Sequence, residues 1–268
     1  MPVELDGPAL DGVVARLRAG GCVFAEDEAR LLLEGAADRV ELDTMVAERV
    51  TGSPLELVLG WADFGGVRLL VEPGVFVPRL RTEYLAGLAA GYLESGDVVV
   101  DLCCGAGPIG ALLLAGDRQM ELHAADIDEV AIRCARKNLA TAIEAGHAFV
   151  YQGDLDTPLP ARLEGRVSIL TANVPYVPSN EIQLLPSEAR EYEPLTALDG
   201  GADGLDLLRR VARASTRWLR PGGRLLIEIS DRQQDAAVAA FRGAGLEPAI
   251  SESDELDSTV LIGRFTPR

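Results

Sequence analysis

The chain predicts an α/β fold: a mostly parallel, seven-stranded sheet with helices on both faces, joined through a β-hairpin to a small N-terminal helical domain. Three observations carry this reading. From Asp97 onward, short apolar β-branched runs alternate with segments of helical period, as strands fed by crossover helices do. The first of these runs ends in a glycine-rich turn, Gly105-Ala106-Gly107-Pro108-Ile109-Gly110, where the backbone must bend sharply into a helix, as in Rossmann-like domains. The first fifty residues, by contrast, carry only the helical period.

In that opening stretch Leu10, Val13, Val14 and Leu17 recur at helical spacing. Leu32, Leu33 and Ala36 continue the period in a second helix, opened by Glu26-Asp27-Glu28, whose charges favour a helix N-terminus. Leu42, Met45, Val46 and Arg49 give a third, so residues 1–54 are predicted to form a bundle able to carry a recognition surface. Over residues 55–80 the period shifts to two. Leu57-Val58-Leu59 and Val67-Arg68-Leu69-Leu70-Val71 flank Gly65-Gly66 and are read as the two strands of a hairpin linker. Residues 81–268 make the large domain. Thr82 is placed to cap a helix running to about Leu93, with Glu83 in its first turn.

Five strands then follow in order: Val98-Val99-Val100 ending in Asp101, Leu122-His123-Ala124-Ala125 ending in Asp126, Ala148-Phe149-Val150-Tyr151 ending near Asp154, Val167 to Ala172 running into Asn173, and Leu225 to Ile229. Two more, around Pro248 to Ser251 and Val260 to Phe265, close the sheet. The helix after the second strand holds Ala131, Ile132, Ala135 and Leu139. Another, Leu205 to Leu219, aligns Leu208, Val211, Ser215 and Trp218 and stops at Pro221-Gly222-Gly223. Val238 and Phe241 belong to the last helix.

Composition narrows the function. With 268 residues, 48% of them hydrophobic, the chain can bury one large core and one small one. No apolar run approaches the roughly 20 residues that span a bilayer. The start, Met1-Pro2-Val3-Glu4, lacks the basic region and apolar core of a signal peptide, so a cytoplasmic monomer without membrane contact is expected. Cys22, Cys103, Cys104 and Cys134 show no framework spacing, and only His123 and His147 could join them, so no metal site is expected. Neither histidine sits in a nucleophile motif. The net charge of -17 opposes a nucleic-acid partner, since a duplex carries a phosphate about every 1.7 Å and would be repelled. Arg16, Arg18, Arg79, Arg81 and Arg220 are scattered along the sequence. A protein or small-molecule substrate is favoured.

Asn173-Val174-Pro175-Tyr176 breaks the fourth strand at its C-terminal edge, where open α/β sheets bind their ligands. Asn173 offers an amide oxygen and Val174 a carbonyl. Two convergent acceptors suit a planar NH2 group and leave the nitrogen lone pair out of plane. Tyr176 supplies a flat wall. Alone, the four residues read equally well as a strand followed by a proline turn. The surrounding residues decide. Gly105, Gly107 and Gly110 satisfy G-x-G-x-x-G, a pattern shared with dinucleotide sites. The loop begins, however, with Asp101, a carboxylate where a pyrophosphate would lie. It disfavours a phosphate and suits S-adenosylmethionine, which carries an ammonium and a sulfonium. Asp126 is placed for ribose hydroxyls with Ile127 beside it, Asp128 as a helix cap, Asp154 for an adenine amine and Leu155 for the adenine ring. The expected cofactor-facing set is thus Asp101, Cys103, Cys104, Gly105, Ala106, Gly107, Asp126, Ile127, Asp154, Leu155 and Asn173. The two cysteines are read as small side chains tolerated in a tight turn, His123 as a core residue, and Tyr192-Glu193 as loop filler or a lid.

With these residues the chain resembles the HemK/PrmC family of protein glutamine methyltransferases, which act on bacterial peptide chain release factors. The likeness runs through Thr51-Gly52-Ser53-Pro54, Val77-Pro78-Arg79 with Thr82-Glu83, the Asp101 loop, the Asn173 tetrapeptide, and the stretch from Tyr192-Glu193-Pro194 to Asp203-Gly204-Leu205. It implies a class I S-adenosylmethionine-dependent enzyme that methylates a glutamine side-chain amide in a release factor. By the same resemblance, Gly105 and Gly107 line the cofactor, Asp126 holds its ribose, Leu155 flanks its adenine, Asn173 to Tyr176 hold the substrate amide, and the N-terminal bundle grips the protein. The family tetrapeptide is Asn-Pro-Pro-Tyr, and here Val174 replaces the first proline. Leu80 stands where proline usually follows the arginine, and the family's usual arginine near Ser258-Thr259 is missing. These differences mark a divergent branch. The competing readings are methylation of an exocyclic amine in a nucleic acid, a silent S-adenosylmethionine-binding interaction protein, and a dehydrogenase.

Overall fold

The computed structural model describes residues 7–116 and 118–267, with residues 7–9 as backbone only. Three helices open the chain, α1 (Gly7–Ala19), α2 (Ala25–Gly35) and α3 (Arg39–Val50). Their apolar faces meet in a core of their own, where Leu17, Ala29, Leu32 and Val46 are fully buried. Asp38 starts α3 by accepting the N–H groups of Val40 and Glu41, both at 2.9 Å. Leu57-Val58-Leu59, predicted as a strand, instead belongs to the short helix α4 (Leu55–Leu59), whose Leu55, Val58 and Leu59 pack on that core. A run of three apolar residues fits either period, and docking onto the bundle decides it. The hairpin itself is β1 (Trp61–Phe64) and β2 (Val67–Leu70), turning at Gly65-Gly66. Thr82 does not cap a helix either; it is the first residue of α5 (Thr82–Tyr92), with its side chain buried and bonded elsewhere.

The large domain alternates β3 (Asp97–Leu102), α6 (Pro108–Leu114), β4 (Met120–Asp126), α7 (Glu129–Asn138), α8 (Ala140–Glu144), β5 (Ala148–Gln152), β6 (Val167–Ala172), α9 (Ser187–Tyr192), α10 (Asp206–Trp218), β7 (Leu219–Ile229), α11 (Gln234–Gly243), β8 (Leu246–Ser253) and β9 (Ser258–Phe265). The strand order is β5-β4-β3-β6-β7-β9-β8. The first five pair in parallel, and β9 runs antiparallel between β7 and β8. Successive residues of β3 point to opposite faces, so Val98 and Val100 join one core with Trp218 and Phe241 while Val99 joins the other with Leu85 and Ile132. Both layers being covered, β3 and β6 are buried at every position and mostly apolar, and their polar residues pair across the two strands, Ser168 with Asp97 and Thr171 with Asp101. The helix predicted to stop before Pro221-Gly222-Gly223 ends at Trp218, and these three residues then lie within β7 and not in a turn between elements. They form an irregularity there, where the register jumps from Val167↔Leu219 to Ile169↔Arg224.

The chain leaves β3 for β4 on one side and returns with β6 on the other. That reversal opens a crevice at the C-terminal strand ends. Leu102 pairs with Ala172, so Cys103 and Asn173 emerge side by side into it. Among the described residues no helix is long and apolar enough to cross a membrane.

Candidate active site

A cleft of about 820 Å³ occupies this crevice and reaches the helical bundle. On its sheet side lie Cys103 to Ala106, Asp126 with Ile127, and Asn173 to Val177. Asp126 ends β4, where its Oδ2 accepts the Gly105 N–H and its Oδ1 the Asp128 N–H, both at 2.9 Å. Each oxygen keeps a lone pair for the cleft, as a vicinal diol requires. Burial pushes the Asp126 carboxyl up, and these backbone bonds hold it down. Ile127 next to it is 59% exposed, an apolar surface with room for a flat ring. Gly105 is left-handed (φ +54), and a Cβ there would meet no protein atom within 4 Å. The missing side chain leaves space for a ligand to approach the backbone. The diol acceptor, the bare loop and the uncovered Ile127 fit the nucleoside of S-adenosylmethionine.

Four sequence-predicted cofactor residues lie elsewhere. Asp101 is fully buried behind the cleft wall, with Oδ1 accepting from Thr171 Oγ1 at 2.8 Å and Oδ2 unpartnered. Asp154 pairs with Arg210 of α10 at 2.7 Å on the surface, and Leu155, at φ +50, turns into the core. Neither lines the cleft. Gly107 serves as the N-cap of α6 and does not reach the cleft wall. Burial pushes the Cys103 and Cys104 thiols up, so neither is a ready nucleophile.

Burial also pushes Asp101 up to about 7, with the negative charge of Asp126 adding and the Thr171 hydrogen bond opposing. The unfolded carboxyl ionises near 3.8, so between that value and about 7 the folded chain binds the extra proton. Stability therefore falls as pH rises through this window and stays lower above it. Asp101→Asn removes the ionisation. The variant is expected to gain on the wild type between about pH 5 and about pH 8, read from urea midpoints. An equal difference at both pH values would contradict this.

The acceptor side is more heavily braced than its sequence suggests. Asn173 Nδ2 donates to Thr82 Oγ1 at 3.0 Å, and Thr82 Oγ1 donates to Glu228 Oε2 at 2.7 Å. Tyr176 OH donates to Glu228 Oε1 at 3.3 Å. Arg81 Nε lies 2.9 Å from the same oxygen without aiming its N–H at it, an ionic contact and not an aligned bond. Its Nη2 also donates to the Tyr176 hydroxyl. Tyr176 is therefore pinned between a carboxylate and a guanidinium, and burial pushes its phenol up. Asn173 Oδ1 accepts from no donor among the described residues, and Asn173 lines the cleft. Sequence reasoning missed Glu228 although a signal was there. A glutamate inside Leu225-Leu226-Ile227-Glu228-Ile229 is a charge in a buried strand, 2% exposed here, and must find partners.

The tetrapeptide backbone is held from behind. Val174 is 1% exposed and packs in the core where the family's proline would stand. Gly200 N–H donates to Val177 O (2.9 Å), Val177 N–H to Leu198 O (3.1 Å), and Gln233 Nε2 to Tyr176 O (2.9 Å). The stretch from Leu198 to Gly204 is thus a strap across Asn173 to Val177. Glu193 is neither filler nor a free lid: its buried carboxylate takes Arg79 Nη2 at 2.6 and 2.8 Å and the Val77 N–H at 3.3 Å. Arg49 of α3 similarly joins Glu28 (2.7 Å) of the bundle to Glu188 (2.6 Å) of α9. Arg79 and Arg81, scattered in sequence, both line the cleft.

A parallel sheet closed by one antiparallel strand, with a nucleoside-fitting cleft at its switch point, is the framework of the class I S-adenosylmethionine-dependent methyltransferases. The family model described as the methyltransferase small domain matches residues 68–182, which span the glycine loop, Asp126 and Asn173. Release factor glutamine methyltransferases of Streptomyces coelicolor and Mycolicibacterium smegmatis are 39% and 36% identical to the chain. The first alignment covers 70% of this chain and 67% of the relative, the second 88% and 89%. A 4-amino-L-phenylalanine/4-methylamino-L-phenylalanine methyltransferase of Streptomyces pristinaespiralis is 32% identical over 88% of this chain and 87% of its own. The chain belongs to the release factor glutamine methyltransferase family, HemK/PrmC.

Proposed function

We propose that this protein, as a cytoplasmic monomer, methylates the side-chain amide nitrogen of a glutamine in a peptide chain release factor. The observation that carries the proposal is the orientation of Asn173. Its NH2 is committed inward to Thr82, so its Oδ1 is the end available to the cleft, beside the loop that fits the cofactor. With the Val174 carbonyl it would accept the two hydrogens of a carboxamide. S-adenosylmethionine, when bound, supplies an electrophilic methyl group on sulfonium. An amide nitrogen is a weak nucleophile because its lone pair is delocalised; the two acceptors orient it and stabilise the positive charge that grows on it. The spent proton leaves to solvent after the C–N bond has formed. Neither histidine lines the cleft, in keeping with a transfer that needs no base.

The far wall supports a macromolecular substrate. Phe24, 69% exposed, together with Leu31 and Arg49, brings the helical bundle to the cleft, which extends beyond what a nucleoside fills. In this reading residues 1–54 are the substrate-recognition domain and 55–80 the linker to the catalytic domain, 81–268. A free aryl amine is the second reading, because the Streptomyces pristinaespiralis relative aligns over nearly the whole chain and the same acceptors would bind an aryl NH2. The test gives the protein labelled S-adenosylmethionine with purified release factors, with total RNA, or with 4-amino-L-phenylalanine. Mass spectrometry then locates the label. Methyl on a release-factor glutamine is the expected result; label confined to the amine or the RNA overturns it.

A further inference from the structure

A carboxamide presents two ends of nearly equal shape and opposite polarity. Which end faces the cleft depends on what the other end meets. Behind Asn173 it meets Thr82 Oγ1, 3.0 Å from Nδ2, whose single proton is already directed to Glu228 Oε2 at 2.7 Å. A carboxylate only accepts, so the Thr82 hydroxyl must donate to it and is left an acceptor towards Asn173. The reversed amide would set two oxygens against each other with no proton between them, a cost of an unmade buried hydrogen bond. Glu228 is buried and held at Oε1 by the Tyr176 hydroxyl and the Arg81 guanidinium. We propose that Thr82 and Glu228 are positioning residues that impose the acceptor end of Asn173 on the cleft. The chain of polarity runs from Arg81 and Tyr176 through Glu228 and Thr82 to Asn173, joining the start of α5, the end of β7 and the end of β6. The inference rests on the reading of Asn173 as the substrate-amide acceptor.

Glu228→Gln tests the polarity itself. Arg81 and Tyr176 are donors, so they would draw the new amide oxygen to their side and turn its NH2 towards Thr82. Thr82 would then accept from Gln and donate to Asn173, whose amide would flip and offer NH2 to a substrate that also offers NH2. The experiment measures kcat for a glutamine-bearing release factor, and the cofactor dissociation constant by calorimetry, in four variants of the full chain. Thr82→Val and Glu228→Gln are expected to lower kcat by about 30-fold with cofactor affinity within about twofold, while Thr82→Ser, which keeps the hydroxyl, stays within about threefold of wild type. Should Thr82→Val fail to fold, Thr82→Ala carries the same expectation. Asn173→Ala is the reference. If it is inactive while Thr82→Val turns over normally, or if Thr82→Ser falls as far as Thr82→Val, the positioning role is wrong and the acceptor reading stands. If Asn173→Ala itself turns over normally, the acceptor reading fails instead.

Discussion

Replacing Asn173 by alanine is expected to lower turnover by at least about 100-fold, as removal of a transition-state contact does, while leaving affinity for S-adenosylmethionine nearly intact. The two halves of this expectation come from different parts of the site. The nucleoside-fitting features are Asp126, Ile127 and the loop at Gly105, on β4 and after β3; none of their hydrogen bonds passes through Asn173. The Asn173 side chain bonds only Thr82 among the described residues, so truncation leaves the cofactor side as it was. What is lost is one of two acceptors that hold the reacting nitrogen, and that contact strengthens only as the nitrogen becomes positive. Calorimetry for the cofactor and single-turnover kinetics for the methyl transfer separate the two effects. A variant that binds cofactor weakly but transfers at the normal rate would place Asn173 in the wrong half of the site.

The parts of the fold legible in the sequence were those whose evidence is local. β3 and β6 are buried on both faces, so they are mostly apolar, and an acid or amide at the end of such a run marks the strand end. Asp126 and Asn173 were found that way, and register then brings β3 and β6 together. Asp154 was misplaced by the same rule, because a strand-end acid is one rule among several. β5 is the outermost parallel strand, two places from the switch point, and Arg210 from α10 reaches its acid first. What could not be read was any bond between distant residues. Thr82 looks like a helix cap because Glu83 follows it, yet its partner Glu228 is 146 positions away. Arg79 and Glu193, 114 positions apart, were a scattered cation and a loop residue until the fold joined them. Leu57 to Leu59 failed for a different reason: three residues do not define a period, and the neighbouring bundle settled their conformation.

The glycines of the strap give the second large expected effect, one that reaches stability and catalysis together. A Cβ on Gly200 would stand 2.6 Å from Pro175 O, 2.7 Å from Gly204 O and 2.8 Å from Tyr176 Cα, all backbone atoms with no flexible end to yield. Gly200→Ala must therefore push the strap away from the tetrapeptide or the tetrapeptide away from the strap. Overpacking of this kind costs about 1–3 kcal/mol, which in a chain of this size lowers the unfolding midpoint by several degrees. The displaced atoms follow directly on Val174, the second proposed acceptor, so a shift of a few tenths of an ångström reaches the amide site, and turnover is expected to fall at least about tenfold in the fraction that remains folded. Gly91 supplies the contrast. It lies exposed in α5, where a Cβ would meet nothing within 4 Å, so Gly91→Ala is expected to leave turnover unchanged and to stabilise by about 0.5–1 kcal/mol through helix propensity. Thermal unfolding and kcat of the two alanine variants, measured side by side, check the pair. A Gly200→Ala protein as stable and as active as the wild type would mean that the strap merely lies beside the Asn173 segment and does not hold it.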